Sequence, residues 1–194
     1  MDRRSRIHAD SLVGWVALVS EERLSGDLAL WLVVLLELAT FGLGFVAFAA
    51  MRGAQPVLFA AGQARLDAGA GAVNTALLIA GSWACARGVA AGPQQARRWL
   101  MGAVAAGLGF MALKGGEYAR QAPHLDVEAS AFDALYVGLT GFHFLHVLAA
   151  TVVLGILAVL GRRVSLHALE TGALLWHLVD LLWLVLFALV YLWR

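Results

Sequence analysis

The chain is poor in charge. Only 14% of its 194 residues are Asp, Glu, Lys or Arg, against 61% that are hydrophobic, and mean hydropathy is +0.79. A soluble domain carries about a quarter charged residues, so a water-soluble globule is excluded, and so is intrinsic disorder. Lysine is almost absent: one Lys accompanies 13 scattered Arg, and net charge is +1. Nucleic-acid binding needs a clustered basic face, so no nucleic-acid partner is expected. The single cysteine, Cys85, forms no internal disulfide and sits in an apolar run, where it reads as a small core residue. The three prolines, Pro56, Pro93 and Pro123, interrupt no long apolar segment.

What is abundant is long apolar sequence. A bilayer span takes about 20 apolar residues, and five segments qualify, at about 28–51, 68–89, 99–118, 134–160 and 171–193. The runs are continuous rather than alternating, which argues against a barrel. Backbone in hydrocarbon must then satisfy itself as helix. Each proline falls in one of the first three connections, as expected for a residue that breaks helix interiors. The expected fold is an all-α integral membrane protein, a five-transmembrane-helix bundle at 28–194. It is preceded by an N-terminal segment, 1–27, with a short apolar patch suited to the headgroup layer and no cleavage-site pattern behind it. Glycines within the spans, such as Gly42, Gly44, Gly107 and Gly141, suit close helix packing. Trp31, Trp99, Trp176 and Trp193 near the span ends suit an aromatic belt. With the N-terminus inside, nine basic residues fall on the inner side and five on the outer. The positive-inside rule therefore gives N-in and C-out.

Against that background, ionisable residues inside the spans carry the information, because each costs at least ~2.5 kcal/mol on insertion scales. They are Glu37, Lys114, Glu117, His143, His146, His177 and Asp180, with Asn74 as a further polar position. Lys114/Glu117, His143/His146 and His177/Asp180 are each spaced i,i+3 and so share a helix face. At ~1.5 Å per residue, Glu37 falls in the same half of the membrane as His177 and Asp180. Lys114, Glu117, His143, His146 and Asn74 fall in the other half. Two polar layers are expected: an inner one joining the first and fifth spans, and an outer one joining the second, third and fourth.

Three kinds of chemistry fit such residues. A bundle-core metal box uses Glu-x-x-His pairs, whereas the pairs here are His-x-x-His and His-x-x-Asp. A proton-coupled transporter uses intramembrane carboxylates and histidines, but no broken helix or inverted repeat is visible. The third reading is a non-catalytic bundle whose polar residues fix helix register, with Glu37 the candidate for a tunable proton. No catalytic triad, nucleotide loop or CxxC is present, and nothing in the histidine spacing requires haem.

The fourth and fifth spans are more specific. Leu139–Val147 reads LTGFHFLHV, and Trp176–Trp183 reads WHLVDLLW, followed by LVLFALVYLWR. With Glu117-Tyr118, VNTALL at Val73–Leu78 and Glu37 in LLELATF, these segments resemble subunit III of the haem–copper oxidases, in order from about Gly26 to Arg194. Leu58-Phe59, Gln63, Leu66, Asn74-Thr75, Ser82-Trp83 and the close at LVYLWR resemble most the subunit III-like proteins linked to nitric oxide reductase. The resemblance implies a non-catalytic subunit of a bacterial plasma membrane, packed on a haem-bearing catalytic subunit. It implies no haem or metal in this chain, a structural phospholipid, and a protonatable acid at Glu37. Larger members have seven helices, with a lipid-filled cleft between the first two and the last five. This chain resembles the last five.

Overall fold

The computed structural model describes residues 28–193; the expected interfacial segment 1–27 lies outside them. The described chain is helical: α1 (Leu28–Ala54), α2 (Pro56–Ala64), α3 (Ala68–Ala91), α4 (Ala96–Gln121), α5 (Ala131–Leu160) and α6 (Leu166–Phe187). Short 3-10 turns follow α4 and α5, and a π-helical turn, Ala188–Leu192, extends α6. Five of these helices, all but α2, are long and apolar enough to cross a membrane.

Local sequence sets the ends. Asp67 caps α3 by accepting from the Gly69 and Ala70 amides, Ser130 caps α5, and Ser165 caps α6. Gly92, at φ +72°, turns α3 into α4. Pro56 falls in the first connection between spans, between α1 and α3, as expected. It opens α2, where a missing amide hydrogen costs nothing.

Helices α3, α4, α5 and α6 close a ring in which each packs on the next and α6 returns to α3. Trp176 is the clearest case of small-to-large packing in it. Its indole lies where a Cβ on Gly81 would come within 2.5 Å, it borders Gly107, and its Nε1 donates to the Leu78 carbonyl at 3.4 Å. Trp176 is thus fully buried and not part of an interfacial belt, because α6 starts before the expected boundary and carries it into the bundle. Gly44 and Gly107 are close-approach positions, whereas Gly42 and Gly141 have open space beside them.

Helix α1 stands outside the ring, on α5 and α6. Its buried residues are Val34, Phe41 and Phe48, one every two turns. Phe41 packs on Phe142 and His146, and Phe48 on Phe59 and Phe132. The short α2 closes the chain on itself: Gln63 Nε2 lies within 3.2 Å of the Leu189 and Val190 carbonyls in the π-turn and of the Trp193 carbonyl just after it.

Candidate functional site

The densest polar cluster is inside the ring. Lys114 and Glu117, both on α4, are one turn apart and buried, with Nζ 2.9 Å from Oε1. Two tyrosines complete the cage. Lys114 Nζ also donates to the hydroxyls of Tyr136 on α5 (3.2 Å) and Tyr191 in the π-turn (2.6 Å). Both hydroxyls in turn donate to Glu117 Oε1, at 2.5 and 2.6 Å. The ammonium has all three donors used, and the rings of Tyr118, Tyr136, Tyr191 and Trp183 surround it at 4.7–5.7 Å. Tyr118 donates to Thr140, tying α4 to α5 once more. A buried ion pair is tolerable only when its remaining groups are hydrogen-bonded, and this one nearly is. Glu117 Oε2 remains without a partner.

The other ionisable residues are dispersed. His143 is buried beneath Phe110 and Trp183 and donates from Nε2 to the Val179 carbonyl of α6 at 3.0 Å. His146 points the other way, towards α1: its Nδ1 donates to Phe142 O, and its Nε2 lies 3.1 Å from Glu37 Oε2. This approach has the range of an ion pair but not the alignment of a hydrogen bond. Since Nδ1 faces a carbonyl, which only accepts, the contact is attractive only with one proton between ring and carboxyl. The pair is about one-fifth exposed and borders a cavity of about 110 Å³. Asp180 accepts from Ser82 across the α3–α6 seam at 2.6 Å. His177, one turn earlier, faces outward. Asn74 is fully buried with neither amide atom bonded.

This placement corrects the layered expectation. Glu37 meets His146, not His177 or Asp180, so no inner layer joins α1 to α6. Glu37, His143, His146, His177 and Asp180 lie within about a turn of mid-span, where an error of one 5.4 Å turn moves a residue to the other layer. The outer cluster joins α4, α5 and the end of α6, and Asn74 takes no bonded part in it. His143 and His146 share a helix but serve different neighbours. Tyr136 completes the polar contacts without standing out in the sequence, and Tyr191, Ser82 and Gln63, quoted only within the resemblance, gave no sign of their partners, because hydroxyls and amides are common in apolar runs. Only their partners mark them. Among the described residues, no three His, Cys, Asp or Glu side chains converge as metal ligands would.

The fold and its interior define a class: a polytopic membrane protein whose buried polar groups bind helix to helix. Residues 71–194 match the family Cytochrome c oxidase subunit III. A cytochrome c oxidase subunit 3 of Synechocystis sp. is 32% identical over 181 residues, covering 86% of this chain and 76% of the relative. A probable cytochrome c oxidase subunit 3 of Nocardia farcinica is 32% identical over 60% of this chain and 63% of its own length. Against the wheat (Triticum aestivum) protein of that name, identity is 33%, and the chain spans about half of the relative, 48%. The chain belongs to the cytochrome c oxidase subunit III family, the non-catalytic membrane subunits that associate with the catalytic subunits of haem–copper oxidases.

Proposed function

We propose that this chain is the five-helix subunit III-type component of a bacterial respiratory complex in the plasma membrane, inserted N-in and C-out, and that it packs on a haem-bearing subunit without binding haem or metal itself. The observation that carries the reading is the internal engagement of the reactive groups. Lys114 and Glu117 are locked by Tyr136 and Tyr191, and His143 is held by a backbone carbonyl. Groups so engaged fix helix register and leave little free for substrate chemistry.

The particular complex is the nitric oxide reductase-linked branch. Asn74-Thr75, Ser82-Trp83 and LTGFHFLHV support it, and Gln63 within that set is also the residue that seats the end of α6. The partly exposed Glu37–His146 pair is the protonatable element. The adjoining groove between α1 and the ring, lined by Leu30, Val33, Val153, Leu157 and Thr171, has a cavity of about 530 Å³ and takes a phospholipid acyl chain.

The test is affinity purification of the tagged chain from its own membranes in mild detergent. A haem difference spectrum in stoichiometric yield is expected, with nitric oxide consumption exceeding oxygen consumption. Absence of haem overturns the subunit reading. Oxygen consumption alone overturns the branch.

A further inference from the structure

Two turns of the bundle carry a pair of adjacent, exposed arginines. Arg97 and Arg98 open α4, and Arg162 and Arg163 follow α5. Two spanning helices separate these turns, so both pairs lie on one side of the membrane. Their surroundings differ.

At the α3–α4 turn the arginines gather round one indole. Arg98 Cζ lies 5.3 Å from the centroid of the Trp99 ring, and Arg87 Cζ, near the end of α3, lies 5.4 Å from the same ring. Trp83, exposed on α3, meets Trp99 edge-on at 5.2 Å. Among the described residues, no carboxylate lies within ion-pair distance of Arg87, Arg97 or Arg98. Like charges thus converge with no counter-charge between them. Arg97 and Arg98 also line a cavity of about 490 Å³, together with the side chains of Gln94, Gln95 and Met101. From there Met101, Ala105 and Leu108 continue along α4 at helical spacing, on one face, and all three are exposed. By contrast, no aromatic ring among the described residues lies under Arg162 or Arg163.

A cationic cavity that runs into an apolar stripe is the complement of an amphiphile with an anionic head. Guanidinium groups match phosphate oxygens two at a time, and tryptophans suit the boundary between headgroups and chains. We propose that the α3–α4 turn binds one anionic phospholipid, with its phosphodiester held by Arg97 and Arg98 and an acyl chain lying along Met101, Ala105 and Leu108. Arg87, sharing Trp99 with Arg98, adds to the positive field over the headgroup. The stripe selects a lipid over a free phosphate, which gains nothing from Met101 or Leu108. The site is separate from the α1 groove, which is lined by no arginine. The assignment holds whichever complex the chain joins.

The test uses the full chain, purified in mild detergent and stripped of lipid. Dioleoyl phosphatidylglycerol and dioleoyl phosphatidylcholine are the probes, and native mass spectrometry counts what is bound. The first phosphatidylglycerol is expected to bind roughly tenfold more tightly than phosphatidylcholine, as two arginines facing an anionic headgroup should allow. R97Q/R98Q should abolish that preference. R162Q/R163Q removes the same charge from the same side of the membrane and should leave the preference intact. L108Q alters no charge and should weaken phosphatidylglycerol binding several-fold. Equal losses from the two arginine pairs would show diffuse surface charge and overturn the site, as would a preference that survives R97Q/R98Q. Displacement of phosphatidylglycerol by millimolar inorganic phosphate, or binding indifferent to L108Q, would show a free-anion site and overturn the lipid assignment.

Discussion

Helix α1 and the α3–α6 ring solve the same problem differently. The ring buries large aromatics against glycines and ties three of its elements through Lys114, Glu117, Tyr136 and Tyr191. Helix α1 touches the rest of the chain mainly along a stripe of three buried side chains, at Gly44 and through one partly exposed Glu37–His146 contact. In water such a stripe would gain from the hydrophobic effect. In lipid, whose tails are as apolar as leucine, association rests on packing fit and polar contacts. The ring is therefore the stable unit, and α1 is an appendage that detaches at lower cost.

The largest effect should come from Glu117→Ala. It leaves the Lys114 ammonium buried without its counter-charge and removes the acceptor of two tyrosine hydroxyls. Breaking one side of a buried pair costs about 3–5 kcal/mol, so thermal unfolding in detergent should show a steep loss of folded chain. The double variant K114L/E117L should recover much of that loss. If it proves as damaged as Glu117→Ala alone, the cage is not an ion-pair device.

Phe41→Ala comes next, on the appendage. Truncating a buried Phe costs about 3–5 kcal/mol in a well-packed core. Phe41 is fully buried, but lipid tails can fill part of the space left beside α1, so the cost should sit at the low end and the loss should stay local. Limited proteolysis is expected to free α1 while the ring keeps its unfolding midpoint. A parallel drop in ring stability would show that α1 belongs to the same cooperative unit.

Gly81→Val places a side chain against the Trp176 indole. Overpacking of this kind costs about 1–3 kcal/mol, and it should redden Trp fluorescence as the indole is displaced. Smallest is Ser82→Ala, which removes the hydroxyl bonded to Asp180. Interhelical hydrogen bonds in membranes average about 0.6 kcal/mol, so a shift near the detection limit is expected. A shift as large as that of Glu117→Ala would place a second stability centre at the α3–α6 seam.

The spans were legible because hydrocarbon imposes one demand, a long apolar helix, on a continuous stretch of sequence. The i,i+3 rule was equally reliable for Lys114 and Glu117, since both lie on one helix and local geometry alone brings them together. It said nothing about partners on other helices. Glu37 with His146, Asp180 with Ser82 and the convergence of Tyr136 and Tyr191 depend on helix rotation and neighbour order, which one chain's periodicity does not contain. The short α2 escaped notice for a different reason. Its Pro56 was read as punctuation between helices, although the same chemistry makes proline a good first helical residue.

The carboxamide of Gln63 has a bearing on biosynthesis. Its acceptors, the carbonyls closing the last membrane helix, lie 126 to 130 residues later in the polypeptide. While the ribosome is still working, the donor waits near the bilayer surface with nothing to hold. When the end of α6 emerges it docks on a clamp already in place, so insertion fastens a late helix to one laid down 126 residues before it.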